Sequence, residues 1–435
     1  LVARSTVDWP GVSRAATELL QTYLRLDTSE PEQASQAAEW LQSMLSDAGI
    51  ESRLVVTGEG RSGVVARLRG QGGGPPLVLY SYIEQPHPDA SRWSVPPLDG
   101  VVVDGLLYGS GAAEPKGQTI TNLMTLLVLH QLGVPLQRDV IFLATGSRDR
   151  LAEAQSPMLG ELAQLGAESV LGPGGGSIEL EPGQRAWMVS TYTKGYLYLR
   201  VGPSREGGEP SGDLPPIASE QLVRAVNEFL TWDAPIVPSE ATNEFFRRLT
   251  NRYGFPVRDV LAQPWAWSRF VAPRLTGNPA AASRLRDTVS LVRLEPWPDD
   301  PLCPSAIVAV HTMPWRAREQ VLAELRAVAG VPELRFQLLA EEAGQESSWD
   351  TALYRAIERV AEREEPGIPV LPTGADAGHG RQLRALGATC YGFLPIHLDR
   401  EQLGRIGGPD ECVPVEGLGQ GVRRLTEIVL ELCAG

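Results

Sequence analysis

The stretch Leu77 to Tyr82 reads LVLYSY, six residues without a charge. Its length and texture fit a strand buried on both faces. Thr119 to Leu132 follows as a long apolar helix with no charged residue, and Asp139 to Ala144 as a second apolar run. Strand, apolar helix and strand make a unit that folds as neighbouring parallel strands covered by helices on both sides. Helical spacing over 12–26 and 32–49 supplies further covering elements, with Gly49 as a stop for the second.

After Lys194 the texture changes. Tyr196 to Val201 alternates like a half-exposed strand, a Gly/Pro-rich loop runs from Gly202 to Pro216, and a helix follows near 219–231. Residues 232–288 are rich in Pro and Trp and show no clean period. Ala306 to His311 and Leu334 to Leu339 read as strands, with a helix over 316–328 between them. After Gln345 the helix–strand alternation returns and ends in a helix over 415–433. The expected architecture is α/β: a mostly parallel sheet with helices on both faces, built from 1–195 and 341–435. A smaller inserted α/β domain spans 196–340.

The chain is long enough for two full cores at 435 residues. A net charge of −14 and a pI near 5.0 argue against nucleic-acid or anionic-membrane surfaces as partners. The four cysteines have no CxxC spacing, and the first residues lack the basic-then-apolar layout of a signal peptide. A reduced, cytoplasmic setting is the expectation.

Three pieces of the chain carry chemistry by position. They are Tyr82-Ile83-Glu84 at a strand end, Tyr108-Gly-Ser-Gly-Ala-Ala-Glu114-Pro-Lys116-Gly117, and Phe142-Leu-Ala-Thr-Gly-Ser-Arg148-Asp149. Together they resemble the signature of the zinc-dependent aminoacylase, acetylornithine deacetylase, succinyl-diaminopimelate desuccinylase and carboxypeptidase G family. That family writes them Gly-His-x-Asp, Gly-Arg-Gly-x-x-Asp-x-Lys-Gly and Asp-Glu-Glu. The resemblance covers nearly the whole chain, including Lys194-Gly195, Met313-Pro314, Gly374-x-Asp376 and Gly407-Gly-Pro-Asp410-Glu411. It implies a zinc-exopeptidase-like fold, two zinc ions, amide-bond hydrolysis, and an inserted lid that commonly makes a dimer.

Residue by residue, the donors the resemblance calls for are replaced. The first His falls on Tyr82, a phenol and a poor zinc ligand at neutral pH. The Asp that orients it falls on Glu84, and the bridging Asp on Glu114. The catalytic base falls on Arg148, which stays charged and takes no proton. The next ligand falls on Asp149, a later acid on Pro173 and its flanking glycines, and the final His on Gly407. The substrate-carboxylate Arg falls on Gly378. Lys116, Asp410 and Glu411 are retained, and Asp376 and His379 are further candidates for the old cleft.

The expectation is therefore a degenerate member that has lost its zinc. Glu84, Glu114 and Asp149 would form a carboxylate cluster neutralised by the planar Arg148 fork. Such a chain would act as a binding, scaffolding or assembly protein, as a homodimer or beside an active paralogue. The competing reading is a metal-dependent amide-bond hydrolase, a peptidase or N-acyl amino acid deacylase, with an atypical site. His87 is expected in a solvated turn, His130 on a structural helix face, His311 in the lid and His397 at the surface. Ser110 and Ser147 have no activating His in register. Trp265 and Trp267 are expected in a core or a contact seam.

Overall fold

The computed structural model describes residues 7–58, 60–146, 157–181, 183–203, 216–251, 254–261, 263–276, 282–331, 334–375 and 380–434. Two compact units result. One comprises Leu1–Thr191, Ser347–Thr373 and Gly378–Gly435; the other comprises Tyr192–Glu346 with Gly374–Ala377.

In the first unit the expected strand–helix–strand unit forms. Strand Leu77–Tyr82 pairs in parallel with Val140–Thr145, Leu77 facing Val140 and Tyr82 facing Thr145. On its other side it pairs in parallel with Ser169–Gly172, which in turn pairs in parallel with Thr389–Gly392. The flanks are antiparallel. A hairpin of Glu51–Gly58 and Arg61–Leu68 extends one side, and Gln184–Thr193 lies beside Thr389–Gly392 on the other. The sheet is thus parallel at its centre, where helix Lys116–Leu132 crosses between two neighbouring strands, and antiparallel at the margins, where Glu51–Gly58 turns directly into Arg61–Leu68.

Successive side chains of one central strand enter different cores, as the two-residue period requires. Leu77 and Leu79 join the larger core with Leu123, Leu126, Tyr354 and Leu425. Val78 and Tyr80 face the smaller one with Leu162 and Leu383. Helix Lys116–Leu132 is buried along most of its length and stops at Gly133 in the left-handed region at φ 58°. Helices Trp9–Leu24 and Val415–Cys433 pack against it. Its position fixes the loop ahead of it, residues 109–115, which the functional region uses.

The second unit has a four-stranded antiparallel sheet in the order Thr288–Trp297, Asp300–Thr312, Gly195–Pro203, Leu334–Glu342. Leu197, Leu199 and Val201 pack under helices Pro216–Leu230 and Arg318–Ala329 through Leu222, Phe229, Val321 and Leu325. The stretch without a clean period forms short helices: Glu240–Thr250, Val257–Leu261, Pro264–Ala266, a π-helical turn Trp267–Val271, and Ala272–Thr276. None of the last four reaches two full α-helical turns, so a 3.6-residue period has no room to show. Among the described residues no helix is long and apolar enough to cross a membrane.

Candidate functional site

The functional region lies where the central strands of the first unit end and the loop before helix Lys116–Leu132 passes. Tyr82 closes strand Leu77–Tyr82, and the next residue, Ile83, donates its backbone N–H to the Thr145 carbonyl at 2.7 Å. The two strand ends at which the resemblance puts ligands are therefore neighbours. Arg148 and Asp149, three and four residues past Thr145, fall outside the described residues, as do Ser147, Asp376, Gly378 and His379.

Glu84 is buried and faces Arg61, whose Nη2 lies 3.6 Å from its Oε1, both side chains being almost fully covered. Arg61 opens strand Arg61–Leu68 and also donates to the Ser29 carbonyl at 3.3 Å. A guanidinium thus stands beside the carboxylate that would otherwise orient an imidazole. Arg61 was not among the sequence candidates; Arg148, the cation expected beside these acids, lies outside the described residues.

Glu114 accepts the Gly174 backbone N–H at 2.8 Å through Oε1. The bridging-acid position and the Gly172-Pro173-Gly174 turn are in this way brought together, sixty residues apart in sequence. Pro173 offers no side-chain donor, and Gly172 is required by packing, since a Cβ there would sit 2.9 Å from the Tyr80 ring. Gly407 has φ 69°, favourable to glycine, and a Cβ built on it meets no atom within 4 Å.

Glu411 lies at the centre of this region and is fully buried. Its two carboxylate oxygens accept four backbone N–H groups: Gly111 at 3.0 Å, Ala113 at 2.9 Å, Glu114 at 3.1 Å and Gly407 at 3.1 Å. Burial pushes this carboxyl up to about 7, and the four donors pull the other way. The residue therefore fastens the Gly111–Glu114 loop to the Gly407 turn. Asp410 at φ 57° does a similar task for Ser94, accepting from its backbone N–H at 2.7 Å and its hydroxyl at 2.9 Å.

Lys116 is also fully buried. Its Nζ donates to the Leu26 carbonyl at 2.6 Å and the Leu24 carbonyl at 3.5 Å, and lies 5.4 Å from the Tyr23 ring centre. Burial lowers its pKa to about 8, against the pull of the Asp27 and Glu411 charges. Lys116, Asp410 and Glu411, expected as cleft candidates, thus hold backbone and side-chain groups of the chain itself.

Three histidines of the first unit are among the described residues. His87 is exposed and pairs with Asp27 at 2.7 Å. His130, expected to close an apolar helix face, is exposed near the end of its helix. His397, expected at the surface, is half-buried with Nδ1 3.0 Å from the Ser177 hydroxyl, and burial with the nearby Arg185 and Arg424 lowers its pKa. Ser110 is buried and accepts from Gln85 at 3.1 Å.

Two zinc ions require imidazole and carboxylate donors converging on one point. Among the described residues no three of His, Cys, Asp and Glu converge in that way. Of the five described positions at which the resemblance puts donors or their orienting acid, one carries a phenol, one a carboxylate opposed to Arg61, one a carboxylate engaged by Gly174, and two, Pro173 and Gly407, no side-chain donor. The described residues do not fit that group.

The parallel-centred sheet, the crossover helix and the inserted antiparallel unit define an α/β protein of the metallopeptidase and deacylase class. A family profile, Peptidase family M20/M25/M40, matches residues 85–431, and the chain belongs to that family. Among curated relatives it is 22% identical over 371 residues to the human N-fatty-acyl-amino acid synthase/hydrolase PM20D1, spanning 82% of this chain and 73% of that one. It is 28% identical over 218 residues to the cysteinylglycine-S-conjugate dipeptidase of Corynebacterium striatum, 46% of this chain and 45% of that one. Among solved structures, human carnosine dipeptidase 1 superposes with a TM-score of 0.69 at 13% identity, covering 98% of each chain. The carboxypeptidase Sso-CP2 from Sulfolobus solfataricus gives 0.67 at 17% identity, covering 96% of this chain and 98% of that one.

Proposed function

We propose that this chain is a family M20 protein that has given up its dinuclear zinc centre and acts as a binding, scaffolding or assembly component. The observation that carries the reading is the buried Glu84–Arg61 pair at 3.6 Å. A cation fixed beside the orienting carboxylate opposes a second cation there by like-charge repulsion. The replacements at Tyr82, Pro173 and Gly407, and the Arg148 guanidinium where a base is called for, support the same reading. It forms a homodimer or joins an active paralogue through the inserted unit, and resides in the cytoplasm. All four cysteines are buried and free, which suits a reducing compartment.

A second reading is favoured by the relatives. The N-fatty-acyl-amino acid synthase/hydrolase matches four-fifths of this chain, which makes an N-acyl amino acid the first substrate class to test for an atypical amide hydrolase. One experiment separates the two. Purified protein is analysed for metals and incubated with N-acyl amino acids and dipeptides, with and without added zinc. The expected outcome is no stoichiometric zinc and no hydrolysis. About two zinc ions per chain, or turnover that a chelator abolishes, favours the hydrolase.

A further inference from the structure

The short helices of the second unit carry an unusual surface. Five large apolar side chains of this stretch are solvent-exposed: Phe255 at 82%, Trp265 at 63%, and Val257, Val260 and Phe270. They are not a misplaced core. The segment has its own, in which Trp267 is fully buried, stacks on Phe246 with ring centres 4.1 Å apart, and donates its indole N–H to Asn243 at 3.3 Å. Trp265 and Trp267 are two residues apart, one outside and one inside. Exposed aromatic and branched side chains concentrated within residues 255–270 mark a contact surface.

Charge tells what kind of contact. Residues 240–290 contain eight arginines and four acidic residues, a net +4, in a chain whose total is −14. Half of these arginines are matched by acids: Arg247 and Arg248 on Glu244, Arg258 on Asp259, and Arg286 on Asp233 just outside the stretch. Arg269 is exposed between the buried Trp267 and the exposed Phe270. The expectation from overall charge, that no anionic surface would attract this protein, averages over a local excess of arginine.

We propose that this segment docks the protein on an anionic lipid surface. Trp and Phe at the headgroup level with arginines beside them is the composition that binds such interfaces, through buried apolar area and attraction to acidic lipids. A second copy of the chain suits the patch less well. A two-fold contact would set arginines against arginines. The inference is independent of whether the first unit hydrolyses anything.

The test is co-sedimentation of the full chain with vesicles of phosphatidylcholine alone and of equal parts phosphatidylcholine and phosphatidylglycerol, at low and physiological salt. The expected result is binding to the acidic vesicles that weakens with salt, and little to the neutral ones. Phe255→Ser with Trp265→Ser removes the binding, and Arg269→Glu weakens it about fivefold or more, the scale for losing one cation near an acidic membrane. Leu294→Ser, an exposed leucine on the sheet of the same unit, leaves it unchanged. Equal binding to neutral vesicles, no sedimentation, or double-variant binding like the wild type overturns the proposal. So does light scattering in which the double variant splits an oligomer formed without lipid.

Discussion

Two sets of signature residues have had different fates in this chain. Lys116, Asp410 and Glu411 keep the residue types of the family signature, while Tyr82, Arg148, Pro173 and Gly407 do not. The difference follows from what each set does. Every kept side chain holds groups of the protein itself: two carbonyls for Lys116, a Ser94 N–H and hydroxyl for Asp410, four N–H groups for Glu411. Those obligations exist whether or not a metal is bound. A ligand imidazole has no such obligation, so when the chemistry is dropped nothing in the fold demands it. Of the acids at donor positions, Glu84 and Glu114 have taken partners within the chain.

The sharpest way to break this contrast is Glu411→Ala. It leaves four N–H groups without their acceptor, and at about 1–2 kcal/mol each the expected loss is about 5 kcal/mol of stability in a denaturant melt. A loss under about 1 kcal/mol would mean that the loop is held otherwise and that the kept residues are not structural. On the other side of the contrast, Arg61→Ala removes the guanidinium that faces the buried Glu84 and should cost about 3–4 kcal/mol. Adding Glu84→Gln to the same chain should recover much of that. A silent Arg61→Ala would leave Glu84 available as a ligand and remove the distinction between the two sets.

A smaller effect concerns pH. The lysine at 116 binds its proton more weakly folded than unfolded, at about 8 against an ordinary 10.5. Between those values the unfolded chain holds more protons, so this group's contribution to stability rises with pH across the window and its burial cost is greatest below it. The buried thiols of Cys390, Cys412 and Cys433, held above their ordinary value by burial, act in the opposite sense. The measurement is therefore the gap in unfolding free energy between wild type and Lys116→Met. It should shift toward the wild type by on the order of 2–3 kcal/mol from pH 8 to 10.5. A constant gap would show that the ammonium is not desolvated.

The strand ends and the crossover helix were legible in sequence because they are long, uncharged and regularly spaced. The site was legible as a set of positions, since Gly-rich turns and Lys116-Gly117 anchor the register. The new partners were not. Arg61 lies 23 residues before Glu84, and Gly174 contributes only a backbone N–H, which no side-chain pattern announces. The aromatic segment of the second unit was unreadable for a third reason: its helices are too short for periodicity, and Trp265 and Trp267 look identical until packing separates them.

The Glu411 carboxylate joins stretches 297 to 300 residues apart on one side and four on the other. During synthesis the loop at 111–114 therefore leaves the ribosome long before its acceptor exists. Its N–H groups face water or transient partners until Glu411 has emerged, and the inserted unit is made in the meantime. The first unit cannot be completed as it is translated, and its closure waits on a residue 297 to 300 positions downstream of the loop.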